Sequence, residues 1–321
     1  MCTAQSNHSP VALAADQLLK GMTMKSRTTR RRLLATTALA AAAATLPTPA
    51  PAADDPTCRI TNNRIKQSVV RWCFESIDVE KLCQGAAAMG LKSVELIDPK
   101  YWPILKKHGL ICAISSSHGF VKGWNHVENH DYCASIITKS IDATSDAGFP
   151  AVITFSGMRQ GIDEAEGMKN TVNGIKKIIG HAEKKKVTLA FEVLNSRVNA
   201  TMKGHPDYQA DHIEWGVELC DKVGSDRMKL LFDIYHIQIM EGDVITRIRQ
   251  YKDYIAHYHT AGVPGRYELD DHQEINYPPI IRAIIDTGYA GCLGQEFVCR
   301  TATTDEAKLA SLLAAVKLCD V

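Results

Sequence analysis

The chain has 321 residues, of which 45% are hydrophobic and 23% are charged, a composition typical of folded proteins and unlike that of disordered chains. Its formal charge is +1, but the first 53 residues hold six Lys or Arg and one Asp, which leaves 31 basic and 35 acidic residues in the remainder. A mildly acidic body lacks the basic surface that binds nucleic acid, so we expect no nucleic-acid partner.

The first 53 residues have the pattern of an export signal. The motif TRRRLL (29–34) contains a twin arginine and is followed by an Ala-rich apolar stretch to residue 46 and by small residues at 50–52. This stretch is too short for a permanent transmembrane helix. We predict a twin-arginine-type leader over 1–53, export to the periplasm, and no stable membrane span after cleavage. A basic disordered tail or a retained anchor is the alternative.

From residue 67 onward, short apolar runs alternate with helical patterns. The runs are nearly continuous in apolar residues, as expected for parallel strands covered by helices. Eight strands are predicted: QSVVRWCF (67–74), SVELID (93–98), ICAISSS (111–117), AVITFSG (151–157), TLAFEVLN (188–195), MKLLFDIYH (228–236), IAHYHTAG (255–262) and GCLGQEFV (291–298).

The segments between these strands predict helices, several of which end at a glycine. Examples are VEKLCQGAAAMG (79–90), MKNTVNGIKKIIGHAEKKK (168–186) and the C-terminal AKLASLLAAVKLCDV (307–321). Eight consecutive strand–helix units predict an α/β fold, a (β/α)₈ TIM barrel forming a single domain over residues 54–321. An open doubly wound sheet is the alternative, but no GxGxxG motif follows the first strand.

Four strands in the second half end with a metal-binding side chain: Glu192, Asp233, His259 and Glu296. Because the carboxyl ends of barrel strands meet at one face, we expect these side chains to lie together. Three carboxylates and one imidazole suit Mn²⁺, Mg²⁺, Co²⁺ or Zn²⁺. Such a cation would polarise a substrate carbonyl, and the two glutamates could move a proton beside it. The pattern therefore predicts a metal-dependent enzyme.

Three segments carry a resemblance to a known family: FDIYHIQIMEGD (232–243), IAHYHTAGVPGRYELDDHQEINYPPI (255–280) and GCLGQEF (291–297). They resemble the hydroxypyruvate isomerase family, which belongs to the xylose isomerase-like barrels together with the ketose 3-epimerases and endonuclease IV. The resemblance extends from about residue 67 to about residue 300 and is weak before residue 150. It implies an isomerase that interconverts hydroxypyruvate and tartronate semialdehyde through an enediolate.

The resemblance also implies roles for single residues. Glu192 and Glu296 match the paired acid/base glutamates, which also bind metal in the epimerases, and Asp233 matches a metal-ligand aspartate. His259 stands where the epimerases have histidine and the bacterial hydroxypyruvate isomerases usually have glutamine. This difference favours tight metal binding and leaves the substrate open.

Four residues are predicted to bind substrate. His236 is similar to a histidine that contacts substrate beside the metal, and Arg266 resembles a loop arginine whose planar guanidinium could hold a carboxylate. His118 follows the third predicted strand and could line the pocket. Asn195 follows Glu192 closely and could orient the substrate. Glu95 ends the second predicted strand, where a core or a capping role is equally compatible with its position.

The preferred prediction is a metal-dependent isomerase of small hydroxycarbonyl compounds, acting on a sugar or a hydroxy-keto acid. A sugar 3-epimerase or an enzyme acting on a keto-glycoside is the closest alternative, and export favours it somewhat. An endonuclease IV-like phosphodiesterase would need several more histidines and a basic groove. A non-catalytic sugar-binding barrel is the last alternative. The sequence leaves the oligomeric state open, a homo-oligomer included.

Overall fold

The computed structural model describes residues 58–321, and the predicted leader over 1–53 lies outside them. Within residues 58–321, seven parallel strands form one sheet in the order β2-β1-β7-β6-β5-β4-β3. The strands are β1 (Lys66–Val70), β2 (Ser93–Glu95), β3 (Ala151–Thr154), β4 (Thr188–Glu192), β5 (Met228–Asp233), β6 (Ile255–Thr260) and β7 (Cys292–Gln295).

The segment predicted as the third strand, 111–117, closes this sheet into a barrel without being a regular strand. It makes one parallel bridge to each edge, Ser93 with Ile111 and Ser115 with Val152. Between the bridges, the backbone N–H of Ala113 donates to the Ser93 hydroxyl at 2.9 Å instead of to a strand carbonyl. This hydrogen bond to a side chain takes the place of one backbone hydrogen bond between strands. The prediction was therefore right about the position of the segment in the barrel and wrong in making it a regular strand.

Helices cover the outside of the barrel. They are α1 (Val79–Met89), α2 (Trp102–Lys107), α3 (His130–Ala147), α4 (Glu164–Lys176), α5 (Ile179–Lys185), α6 (Ile213–Val223), α7 (Ile234–Met240), α8 (Val244–Tyr251), α9 (Tyr277–Asp286) and α10 (Asp305–Leu318). Gly90 and Gly148 end α1 and α3 with φ of 94° and 76°, a conformation open to glycine at little cost. In residues 58–321, every helix is too short or too polar to cross a membrane.

One predicted helix, 168–186, is divided into α4 and α5. The division lies at Lys177 and Ile178, shortly after Gly174 and within a run rich in β-branched isoleucine. Glycine and β-branched residues are weaker helix formers than the residues around them. The TIM barrel predicted from the alternation of strands and helices is otherwise confirmed, with its core between sheet and helices.

Asp320, just after α10, forms hydrogen bonds with the segment that precedes β1. Its carboxylate accepts backbone N–H groups from Thr61 at 2.6 Å, Asn62 at 2.8 Å and Asn63 at 2.9 Å. Hydrogen bonds to a charged group contribute about 1.5–3 kcal/mol each, and exposure reduces this. Asp320→Ala is therefore expected to cost about 2 kcal/mol in total and to lower Tm by roughly 4–8 °C, measured by thermal unfolding. The exposed Asp226→Ala is the control, and equal Tm values for the two variants would contradict the role of Asp320.

Candidate active site

The four predicted metal ligands meet at the carboxyl end of the barrel. Glu192 ends β4, Asp233 ends β5, His259 lies near the end of β6, and Glu296 directly follows β7. One ligand atom from each side chain lies within 4.8 Å of the others, and all four residues are buried. The strand register places Asp233 directly beside His259. Strand ends that are distant in sequence thus form one cluster, which we call the carboxylate cluster.

The carboxylate cluster fits a divalent cation. Glu192 Oε1 is buried and accepts no hydrogen bond from residues 58–321. His259 Nδ1 faces Glu296 Oε2 at 2.7 Å and Glu192 Oε1 at 4.0 Å. Three buried carboxylates at such distances repel one another unless a proton or a cation lies among them. The oxygen and imidazole donors are those that Mn²⁺, Mg²⁺, Co²⁺ and Zn²⁺ accept.

Arg266 already brings a positive charge to this cluster. Its Nη2 donates to Glu296 Oε2 at 2.6 Å and to Asp233 Oδ2 at 3.3 Å, and its Nη1 donates to the Met202 carbonyl at 2.7 Å. Arg266 itself is buried, and its Nε has no hydrogen-bond partner within residues 58–321. The guanidinium therefore donates hydrogen bonds to two of the four candidate metal ligands, Asp233 and Glu296. A bound cation would have to lie beside the guanidinium or displace it.

The two glutamates differ in their protonation. Burial, together with the charge of Glu296, raises the pKa of Glu192 well above its usual value. Burial acts in the same direction on Glu296, but Arg266 and His259 hold the pKa of Glu296 well below its usual value. Trp72 Nε1 also donates to Glu296 Oε1 at 2.8 Å. Without a cation, burial therefore favours the protonated form of Glu192, whereas Arg266 and His259 favour the ionised form of Glu296.

His236 presents an N–H group toward the cluster. Its Nδ1 accepts the backbone N–H of Asn195 at 3.0 Å, which places the ring proton of the neutral form on Nε2. Burial and the charge of Arg266 lower the pKa of His236 well below its usual value, so the ring is neutral. Nε2 lies 3.4 Å from Asp233 Oδ2. A neutral N–H donor beside a candidate metal ligand can bind a substrate oxygen.

Asn195 lies beneath this pair with its side chain engaged in the loop that follows β4. Its Nδ2 donates to the Lys203 carbonyl at 2.9 Å and its Oδ1 accepts from the Val198 N–H at 3.1 Å. The backbone N–H of Asn195 fixes the tautomer of His236. The structure therefore gives Asn195 a local positioning role, and its predicted contact with substrate stays a prediction.

His118 lines the cavity beside the carboxylate cluster. Its Nε2 contacts Thr154 Oγ1 at 3.0 Å, and its Nδ1 contacts the carbonyls of Gly119 and Lys122 at 3.0 and 3.1 Å. Both ring nitrogens thus have protein partners. Substrate binding by His118 stays a prediction that requires one of these bonds to break.

The cavity at this end of the barrel has a volume of about 330 Å³. Besides the predicted residues and apolar side chains, its walls contain five residues that the sequence did not single out as ligands of a substrate: Trp72, Ser116, Ser117, Met202 and His205. The remaining apolar walls are Leu96, Phe120, Ile153, Phe155 and Leu194. Trp72 lies near the end of the predicted strand 67–74, which was the only sequence signal for its position, whereas Met202 and His205 lie in a loop.

His205 packs against Phe120 with ring centroids 4.2 Å apart. Burial, followed by the charge of Arg266, lowers the pKa of His205 to about 4, so its ring is neutral at physiological pH. It is a neutral polar group beside the apolar side chain of Phe120. This arrangement can contact a substrate hydroxyl without bringing further charge to the site.

Residues 83–317 match the sequence model of a family described as xylose isomerase-like TIM barrel. The chain belongs to this family. The match covers most of the barrel and includes all four strand ends of the carboxylate cluster. The resemblance identified from the motifs at 232–243, 255–280 and 291–297 is therefore confirmed at the level of the family.

Curated relatives of this xylose isomerase-like barrel are isomerases. The chain is 36% identical over 118 residues to the 2-oxo-tetronate isomerase of Cupriavidus necator, covering 37% of this chain and 43% of that protein. It is 35% identical over 104 residues to the hydroxypyruvate isomerase of Escherichia coli, covering 32% of this chain and 39% of that protein. The chain thus aligns with about two fifths of the length of each relative.

Solved structures of low sequence identity share the fold. The D-psicose 3-epimerase of Clostridium cellulolyticum H10, solved with D-tagatose, superposes with a TM-score of 0.67 at 16% identity, over 79% of this chain and 98% of that chain. The IOLI protein, solved with a bound zinc atom, superposes with a TM-score of 0.61 at 15% identity, over 79% of this chain and 98% of that chain. At such identities the likeness concerns the barrel alone.

Proposed function

We propose that this barrel is a metal-dependent isomerase of small α-hydroxycarbonyl compounds, with the interconversion of hydroxypyruvate and tartronate semialdehyde as the first candidate reaction. The observation that carries the proposal is the pair Glu192 and Glu296, two buried carboxyl groups in one cluster whose pKa values are shifted in opposite directions. Environments that separate the pKa values of two carboxyl groups assign one as acid and the other as base.

The proton transfers follow from this assignment. Ionised Glu296 removes a proton from the carbon that bears the substrate hydroxyl, and the electron pair of the C–H bond forms an enediolate. Protonated Glu192 delivers its proton to the neighbouring carbon, the former carbonyl carbon, while the hydroxyl proton moves between the two oxygens. The product is the isomeric hydroxycarbonyl compound, and the reverse reaction exchanges the roles of the two glutamates. Positioned acid/base groups of this kind contribute about 10² to 10⁴ in rate.

Asp233, His259 and Glu296 would hold the cation, and Glu192 would join them only in its ionised form; when bound, the cation supplies a Lewis acid for the carbonyl oxygen. Other residues of the protein position the Glu296 carboxylate and offer hydrogen-bond donors to the substrate. Trp72 and Arg266 hold the Glu296 carboxylate in place through bonds of 2.8 and 2.6 Å. His236 Nε2 offers a neutral donor to a substrate oxygen. The unpartnered Nε of Arg266 is available to a substrate carboxylate.

The names of the curated relatives support this reaction class, because both act as isomerases of short oxo acids. A ketose 3-epimerase, or an enzyme acting on a keto-glycoside, is the second candidate. The observation in its favour is the size of the cavity, about 330 Å³, which is within the range for small-molecule sites, about 300–1,000 Å³. A three-carbon acid would leave much of that space to water, whereas a sugar would reach the apolar walls.

A phosphodiesterase of the endonuclease IV type is less favoured. Among residues 58–321, the carboxylate cluster contains one histidine, whereas a trinuclear zinc site needs several. A non-catalytic sugar-binding barrel has no use for two buried glutamates whose pKa values are shifted in opposite directions. Export by the twin-arginine route, proposed from residues 29–52, stays a prediction, as does a homo-oligomeric state.

The test is solvent hydrogen exchange followed by NMR. The protein is stripped of metal with a chelator and reloaded in turn with Mn²⁺, Mg²⁺, Co²⁺ and Zn²⁺. Each sample is incubated in D₂O with hydroxypyruvate, 2-oxo-tetronate and a set of ketoses. Paramagnetic cations are removed before the spectra are recorded. The expected result is metal-dependent deuterium uptake next to the carbonyl, with formation of the isomer. The metal-free protein is the control that shows whether deuterium uptake depends on the cation.

The carbon that takes up deuterium separates the two candidates. Uptake with exchange of carbonyl and hydroxyl positions supports the isomerase, and uptake with inversion at C3 of a ketose supports the epimerase. No uptake from any compound by a protein that binds the cation would reject proton-transfer chemistry at this site.

A further inference from the structure

Below the carboxylate cluster, the barrel interior contains a second group of buried polar residues that the proposed reaction does not use. It consists of Ser68 on β1, Glu95 at the end of β2, and His257 on β6, and we call it the Glu95 cluster. All three residues are buried, and the contact of His259 Nε2 with Glu95 Oε1 joins them to the carboxylate cluster.

The hydrogen bonds of the Glu95 cluster converge on one carboxylate. Glu95 Oε1 lies 3.0 Å from His257 Nε2 and 3.1 Å from His259 Nε2, and Glu95 Oε2 accepts the Ser68 hydroxyl at 2.9 Å. A carboxylate in this position is an acceptor for both imidazoles. The Nε2 proton of His259 is therefore committed to Glu95, and the other ring nitrogen, Nδ1, points to Glu192 and Glu296.

We propose that Glu95 is a positioning residue, which fixes the tautomer and the ring orientation of His259 so that its Nδ1 is presented to the cation. The inference rests on the proposed metal site and adds to it a residue that touches neither substrate nor cation. Metal-binding histidines commonly donate their second N–H to a carboxylate, and loss of that partner typically costs 10- to 100-fold in metal affinity or activity.

Gly294 provides the space that this arrangement requires. It lies opposite His259 in the pairing of β6 with β7. A Cβ atom at Gly294 would lie 2.0 Å from Glu95 Oε1 and 2.7 Å from His259 Cδ2. The Glu95 carboxylate cannot give way freely, because three hydrogen bonds hold it. Any side chain at position 294 would therefore separate Glu95 from His259.

The experiment compares Glu95→Gln with Glu241→Gln in the full chain. Glu241 is a matched control, since its side chain is 3% exposed and accepts a backbone N–H from Ile213 at 2.7 Å, outside both clusters. Binding of Mn²⁺ is measured by titration calorimetry, with Tm as a check on folding. We expect the Kd of Glu95→Gln to rise about 10- to 100-fold and that of Glu241→Gln to remain that of the wild type.

A second measurement needs no variant. The wild-type protein, labelled with ¹⁵N in its histidines and loaded with Zn²⁺, is studied by long-range ¹H–¹⁵N correlation, with His259 assigned by comparison with His259→Gln. The expected spectrum has a proton on Nε2 of His259 and the metal on Nδ1. The opposite tautomer overturns the proposal even if Glu95→Gln does not fold.

Two further outcomes overturn it. A wild-type Kd in Glu95→Gln removes the positioning role while leaving the metal site intact. A second equivalent of cation in the wild type that disappears in Glu95→Gln would make Glu95 a ligand instead. The two experiments measure metal binding and the position of the ring proton of His259, so their results do not depend on the proposed reaction. A wild-type protein that binds no cation would reject the metal site and this inference together, whereas absence of isomerase activity alone would leave the inference standing.

Discussion

Glu192→Gln and Glu296→Gln are each expected to lower the rate of deuterium exchange by about 10² to 10⁴, because each removes one of the two groups that transfer the substrate proton. Their effects on stability should differ. Glu192 Oε1 has no hydrogen bond within residues 58–321, so the metal-free Glu192→Gln protein should unfold at or above the wild-type Tm. Glu296→Gln weakens the ion pair with the buried Arg266 and should lower Tm.

The measurement is NMR exchange with saturating cation, alongside thermal unfolding of the metal-free proteins. Both variants also lose a candidate ligand, so the cation concentration is raised until the rate no longer changes. Glu241→Gln again serves as the control for a buried carboxyl group outside the site. An active Glu192→Gln protein would exclude Glu192 as the acid and leave Glu296 to act alone.

The strands that could be predicted from the sequence are those whose residues are apolar on both faces. β3 and β5 are examples, since AVI (151–153) and LLF (230–232) are continuous apolar runs that a parallel sheet buries between helices and barrel interior. The segment 111–117 has the same appearance in its first half, but Ser93 takes the N–H of Ala113 and interrupts the ladder. Such a contact joins residues from different segments, and the sequence of neither segment indicates that it forms.

The same distinction applies to the site. The four members of the carboxylate cluster could be predicted because each ends a strand, and barrel topology brings strand ends to one face. Trp72 and His205 could not, because their contacts depend on how a short helical turn and a loop fold over that face. The Glu95 cluster had a partial signal: His257 and His259 are two residues apart on β6 and so point to the same side of the strand. The partner of that pair, Glu95, comes from a distant strand.

Cation affinity is expected to fall steeply as the pH is lowered. Burial and the charge of Glu296 raise the pKa of Glu192 well above its usual value, and burial, opposed by Arg266, raises the pKa of Asp233 to about 6. Asp233 binds the cation in its ionised form, and Glu192 becomes a ligand only after it loses its proton, so protons compete with the cation. Each proton displaced changes the affinity about tenfold per pH unit. Between pH 7.5 and 5.5, the Kd for Mn²⁺ should therefore rise by about 10² or more.

Titration calorimetry in buffers of different ionisation enthalpy measures both the Kd and the number of protons released. Glu192→Gln removes one of these two titrating carboxyl groups, so the slope of log Kd against pH should decrease by about one. A Kd that is constant over this range would mean that Glu192 and Asp233 are already ionised in the metal-free protein. In that case Arg266 would face three ionised carboxylates, and the assignment of Glu192 as the proton donor would fall with the pH dependence.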